Sequence, residues 1–212
     1  MKKLKFFDII NIEKDFLEVI FLLFNESWIA GVVISIGAMA YLTIGGPVGA
    51  LIFAVGLSAV IVCGMKLFTG RMVIETKWQT LLMIWVGNFM GCAVGALLSS
   101  GEVSELAYKV MKGKVALGGW SVFIRGVLCG TLMACATVPH ICQWKDTVGR
   151  WILTIASVVA FIVIGADHCV ADMYFWFTSG ALLNMIWVPL VATIGNYVGG
   201  WLFKLGMYEK IG

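Results

Sequence analysis

Gly87-Asn88-Phe89-Met90-Gly91 and Gly195-Asn196-Tyr197-Val198-Gly199 read alike: glycine, asparagine, an aromatic, an apolar residue, glycine. They stand 195 − 87 = 108 residues apart in a chain of 212. Both lie in long apolar runs, so a duplicated membrane unit is the economical reading. A bilayer crossing takes about 20 mostly apolar residues. Ser27 to Met65 carries no charge and holds two crossings, with Gly45-Gly46-Pro47 as the turn between them. Trp78 to Gly101 is a third, and Gly126 to Trp144 a fourth, entered through Val122-Phe123-Ile124-Arg125. Trp151 to Ala166 is a fifth that continues, past an acid and a histidine, towards Phe177. Met173 to Phe203 covers its end and the whole of the sixth. Three spans per copy is an odd number, which forces the copies into opposite orientations. The expected fold is an all-α membrane protein with six transmembrane helices, built as an inverted repeat of three plus three.

Composition agrees. The chain is 61% hydrophobic and 13% charged, with a mean hydropathy of +0.98, against about 45–50% and about 25% in soluble domains. The first long apolar run begins too late and runs too long for a cleaved signal peptide. The net charge of +3 comes from scattered residues with no basic stripe, so no nucleic-acid partner is expected. The six cysteines (Cys63, Cys92, Cys129, Cys135, Cys142, Cys169) stand singly in apolar stretches and read as small packing residues. With no Cys-x-x-Cys, and His140 and His168 as the only imidazoles, no metal or cofactor is expected.

Placing the N-terminus in the cytoplasm puts ten basic residues inside, among them Lys2, Lys3, Lys5, Arg71 and Lys210. It leaves four outside: Lys109, Lys112, Lys114 and Arg125. Both termini are therefore expected to be cytoplasmic. Residues 1–26 alternate apolar and charged side chains and suit an amphipathic helix at the interface. The channel domain is expected over residues 27–205, with halves at about 27–101 and 120–205 and a tail over 206–212.

The middle spans look broken. The second meets Gly64-Met65-Lys66-Leu67-Phe68-Thr69-Gly70-Arg71, where two glycines bracket a charge and a hydroxyl. The fifth is interrupted by Gly165-Ala166-Asp167-His168-Cys169. Irregular backbone at membrane depth is tolerated only against protein or a water-filled cavity, and ionisable residues there mark a pathway. His168 beside Asp167, at a break that matches another break, reads as functional. Lys66 reads equally as a snorkelling side chain or as a charge acting on the pore.

In this order, the Leu67-Phe68-Thr69-Gly70 loop, Gly87 to Gly91, Arg125-Gly126-Val127-Leu128-Cys129, Gly165 to His168 followed by Val170 to Met173, and Gly195 to Gly200 resemble the formate/nitrite transporter family. The likeness runs from Trp28 to Gly200. It implies a homopentamer in which each protomer has an aquaporin-like six-span fold and its own pore for a small anion. It also implies roles: His168 as the pore histidine, Thr69 as its hydrogen-bonding neighbour, and Lys114 as a cation drawing anions into the outer vestibule. Phe53, Leu57, Phe161, Leu67 and Phe68 would form the constrictions, and Asn88 and Asn196 would support the broken helices. The chain departs from the family pattern in carrying Lys66 before the loop, Gly130 in the fourth span, Asp167 before the histidine and Asp172 four residues after it. These changes resemble the hydrosulfide branch. The implied function is a channel for hydrosulfide, with formate or nitrite besides, in a bacterial-type cell membrane. Proton-coupled transport of formate or nitrite is the alternative.

Overall fold

The computed structural model describes residues 6–180 and 183–207, with side chains from residue 18 onward. Its elements are α1 (Phe6–Ile44), α2 (Gly46–Val62), α3 (Phe68–Arg71), α4 (Trp78–Leu97), α5 (Gly101–Ile141), α6 (Thr147–Val163), α7 (Cys169–Thr178) and α8 (Trp187–Gly206). By length and composition, four segments can cross a bilayer: Glu18–Ile44, Trp78–Leu97, Gly101–Ile141 and Leu183–Gly206. The other two apolar helices, α2 and α6, have 17 residues each. They stop short and hand over, after a non-helical break, to α3 and α7.

Both breaks are made the same way. At the end of α2, Gly64 sits at φ 68°, the Gly64 N–H donates to Ile61 O and the Met65 N–H to Val60 O. At the end of α6, Gly165 sits at φ 70°, with Gly165 N–H to Ile162 O and Ala166 N–H to Phe161 O. This paired closure needs a residue in the left-handed region just past the helix, which glycine occupies without steric cost. The chain then turns inward over three residues and begins a new helix.

The halves pair their helices alike, α1 packing on α4 as α5 packs on α8. The matching is visible atom by atom. The Lys66 N–H donates to Glu26 O, and the Asp167 N–H to Arg125 O. Asn88 donates to Ser27 O and Lys66 O, and Asn196 to Gly126 O and Asp167 O. The partners lie 126 − 27 = 99, 167 − 66 = 101 and 196 − 88 = 108 residues apart. Most of the drift enters after the second break, where α7 has 10 residues and α3 only 4.

Two stretches flank the expected spans. The segment before Ser27 is continuous with the first span, α1 running unbroken from Phe6 to Ile44. Its side chains before residue 18, like Lys2, Lys3, Lys5 and Lys210, lie outside the described residues. The stretch between Gly101 and Val122, outside the expected spans, is helical as well. It is the first part of α5, which bends at Gly118 (φ 79°, ψ 161°) before entering the fourth span. Three lysines hide the pattern there, yet Val103, Ala107 and Met111 are buried at a spacing of four. That is one face of a helix, and Lys114 continues it one turn on.

Gly130, which departs from the family pattern, has a packing reason. A Cβ there would collide with the Asn196 carbonyl oxygen, just as one at Gly31 would collide with that of Asn88. Gly130→Ala is expected to destabilise the detergent-solubilised protein by about 2 kcal/mol or more, the scale of overpacking. Gly113→Ala, where a Cβ meets nothing within 4 Å, should leave its unfolding temperature unchanged or raise it. Thermal unfolding of the two variants side by side checks this.

Candidate functional site

The two breaks meet at the centre of the molecule. Each new helix starts with an N–H that the preceding span cannot satisfy, and an asparagine from the crossing helix accepts it. Asn88 Oδ1 accepts from Phe68 N–H at 2.8 Å, and Asn196 Oδ1 from Cys169 N–H at 2.9 Å. Together with the donations above, each amide makes three bonds to backbone groups and is fully buried. Both side chains tie a break to a neighbouring helix.

Held this way, Thr69 Oγ1 lies 2.9 Å from His168 Nε2. His168 also caps α7, its Nδ1 accepting the Ala171 N–H at 3.1 Å. A ring nitrogen that accepts carries no proton, so the neutral imidazole keeps its proton on Nε2 and donates it to Thr69. The Thr69 hydroxyl hydrogen is left free to point at a third group. The pair is almost wholly buried.

Two cavities flank this pair. The His168 cavity, about 330 Å³, is lined by Tyr41, Phe53, Lys109, Lys114, Arg125, Phe161, His168 and Asp172 among others. The Leu67 cavity, about 280 Å³, is lined by Leu57, Leu67, Arg71, Thr137 and His140 among others. They are counterparts. Val60, Ile61, Gly64, Met65, Leu67, Gly70 and Arg71 line one, and the residues 101 positions later, Phe161 to Asp172, line the other. Between them the side chains are apolar. Phe53 and Phe161 meet edge to face at 5.8 Å, and Phe161 stacks on His168 at 5.7 Å. Leu57 and Leu67, each at most 2% exposed, close the other side. An imidazole–hydroxyl pair thus stands in an apolar neck between two cavities.

The remaining expected residues divide. Lys66 does not join the site: its Nζ pairs with Glu26 at 2.9 Å, donates to Gly64 O, and lines neither cavity. Phe68 is buried at the break, its N–H held by Asn88, and it too lines neither cavity. Lys114 does reach the His168 cavity, but its ammonium is committed. It is ion-paired with Asp167 and, at 2.8 Å, with Asp172. The cations of that cavity without an ion pair among the described residues are Lys109 and Arg125. Asp172 is the residue that sequence reasoning left unassigned. The usable signal was its position one helical turn after His168, hence on the same face.

The fold agrees with known proteins. The family model described as formate/nitrite transporter matches residues 13–209. The chain is 26% identical to the nitrite transporter NirC of Salmonella typhimurium, over 84% of this chain and 78% of that protein. It is 27% identical to the formate channel FocA of Escherichia coli K12, over 82% and 80% of the two chains. A solved pentameric formate channel with formate bound aligns with a TM-score of 0.75 at 20% identity, covering 91% of this chain and 96% of the other. The chain is thus a multi-pass membrane protein of the formate/nitrite transporter family, whose members are channels and transporters rather than enzymes.

Proposed function

We propose that this protein is a six-span pore for small monovalent anions, hydrosulfide foremost, with formate or nitrite as further substrates. The observation that carries the reading is the Thr69–His168 pair enclosed between apolar walls and two cavities. A bare anion loses its hydration in such a neck at a cost of many kcal/mol, whereas its conjugate acid loses little. Lys109 and Arg125 raise the anion concentration in the His168 cavity. Phe53, Phe161, Leu57 and Leu67 exclude water and bulkier solutes. The His168 Nε2–H and the Thr69 hydroxyl supply the hydrogen bonds that replace water.

Hydrosulfide ranks first because its conjugate acid titrates near neutral pH, so little free energy is needed to neutralise it at the neck. The chain assembles as a homopentamer in a bacterial-type cell membrane, both termini in the cytoplasm. The likeness to a pentameric channel supports the assembly. Exposed apolar side chains such as Leu51, Val55 and Val62 suit lipid or a neighbouring protomer.

The test is flux into proteoliposomes of hydrosulfide, formate, nitrite and chloride measured side by side. Hydrosulfide should enter at least about tenfold faster than chloride, a difference of only about 1.4 kcal/mol in barrier. Equal rates for chloride and hydrosulfide would refute a neck that selects on ease of neutralisation.

A further inference from the structure

Lys114 presents one positive charge to two carboxylates. Its Nζ contacts Asp167 Oδ1 and lies 2.8 Å from Asp172 Oδ1. The aspartate side chains are 0% and 1% exposed, and the lysine 12%. Beyond that ammonium the carboxylates have no support among the described residues: Asp167 Oδ2 and both Asp172 oxygens are buried with no hydrogen-bond donor there. A fully ionised triad would bury a net charge of −1, and an unpaired buried charge is neutralised by protonation before it is tolerated. Arg125 and Lys109 share the cavity, but neither comes within ion-pair distance of either carboxylate.

The other groups that titrate or carry charge around Asp172 are accounted for. From α5 they are Lys114, Lys109, Arg125 and Cys129; from α1, Tyr41; from α4, Cys92; and at the break, Asp167, His168 and Cys169. From α3 and α8 the side chains that reach the break are Thr69 and Asn196, which do not titrate.

We propose that Lys114, Asp167 and Asp172 form a proton-binding site that holds one exchangeable proton between its carboxylates and gives it to an anion arriving beside His168. The hand-over rests on the anion-pore reading; the proton site itself does not. Asp172 is the outlet, since it lines the His168 cavity together with Phe53 and Phe161. The step balances. The O–H bond of the carboxylic acid breaks, a new bond forms between that proton and the anion's oxygen or sulfur, and the neutral acid enters the neck. The triad is left with its second carboxylate ionised, until water in the cavity returns a proton. The pore would then carry one proton with each anion. The break of the first half is built otherwise: the counterparts of Asp167 and Asp172, 101 positions earlier, are Lys66 and Arg71. The first break therefore carries no carboxylate pair at the matching positions.

Infrared spectroscopy of the reconstituted protein tests the site without reference to transport. Wild type should show a carboxylic-acid C=O band at neutral pH that shifts in heavy water and disappears in Asp172→Asn, where Lys114 and Asp167 remain as a balanced pair. In the same liposomes, an internal pH dye should record proton entry driven by formate. That entry should fall at least about a hundredfold in Asp172→Asn, the lower range for losing a positioned acid, while the amide bands and the elution volume stay as in wild type. Anion flux with no such band would overturn the proton site and leave the pore reading in place. A band in a protein that passes no anion would overturn the pore reading and the hand-over with it, leaving the proton site standing. A band that appears only when sodium is withdrawn would assign the second neutralising charge to a metal cation and overturn the proposal.

Discussion

His168→Phe is expected to abolish anion flux while the protein still folds and assembles. The ring that replaces the imidazole has the same footprint and can stack on Phe161 as His168 does at 5.7 Å. It removes the Nε2–H that meets Thr69 at 2.9 Å, and the Nδ1 that accepts from Ala171. The loss of an N-cap acceptor costs about 1 kcal/mol, which a helix packed against α1, α4, α5 and α8 can absorb. The loss at the neck is larger. With the imidazole donor gone, only the Thr69 hydroxyl remains between Phe53 and Leu67, and a missing buried hydrogen bond of about 3–4 kcal/mol slows passage by a factor of about 10² to 10³. His168→Asn separates the two roles: asparagine is a good N-cap and retains an N–H donor, so this variant should conduct. A correctly assembled His168→Phe protein passing hydrosulfide at the wild-type rate would remove the imidazole from the mechanism.

Much of the fold was legible because membrane insertion imposes few choices. Long uncharged runs must be helices, and glycine-flanked charges at mid-depth must be breaks. The paired Gly-Asn motifs gave the repeat away because both halves solve the same problem, an orphaned N–H at the start of a re-entrant helix, with the same side chain. The first part of α5 was hidden, since Lys109, Lys112 and Lys114 break up its apolar stripe and charge counting alone assigns such a stretch to solvent. The partners of Lys114 and Lys66 were hidden for a related reason. Sequence places a long charged side chain near a break but says nothing about which way it folds back. Lys114 turns inward to Asp167 and Asp172, whereas Lys66 turns away to Glu26. The three-ring contact among Phe53, Phe161 and His168 depends on how α2 meets α6 and the second break, a tertiary arrangement. The resemblance named these residues; it could not place them.

Removing either asparagine is expected to cost assembled protein rather than selectivity. Asn196→Ala strands the Cys169 N–H and leaves the Gly126 and Asp167 carbonyls without their donor. Asn88→Ala does the same to the Phe68 N–H and to the carbonyls of Ser27 and Lys66. Each buried group left unsatisfied costs about 1–3 kcal/mol, so either substitution forfeits about 3 kcal/mol or more where no bulk water can substitute. The yield of monodisperse protein and its unfolding temperature should drop sharply in both variants. Aspartate sharpens the test, because it keeps the shape and the acceptor while replacing both donor hydrogens with a negative oxygen aimed at two carbonyls. Asn196→Asp should therefore fare worse than Asn196→Ala, although it is the smaller change in volume. Normal yield and stability in the alanine variants, together with an altered preference among hydrosulfide, formate and nitrite, would mean that the amides face the passing anion and not the backbone of the breaks.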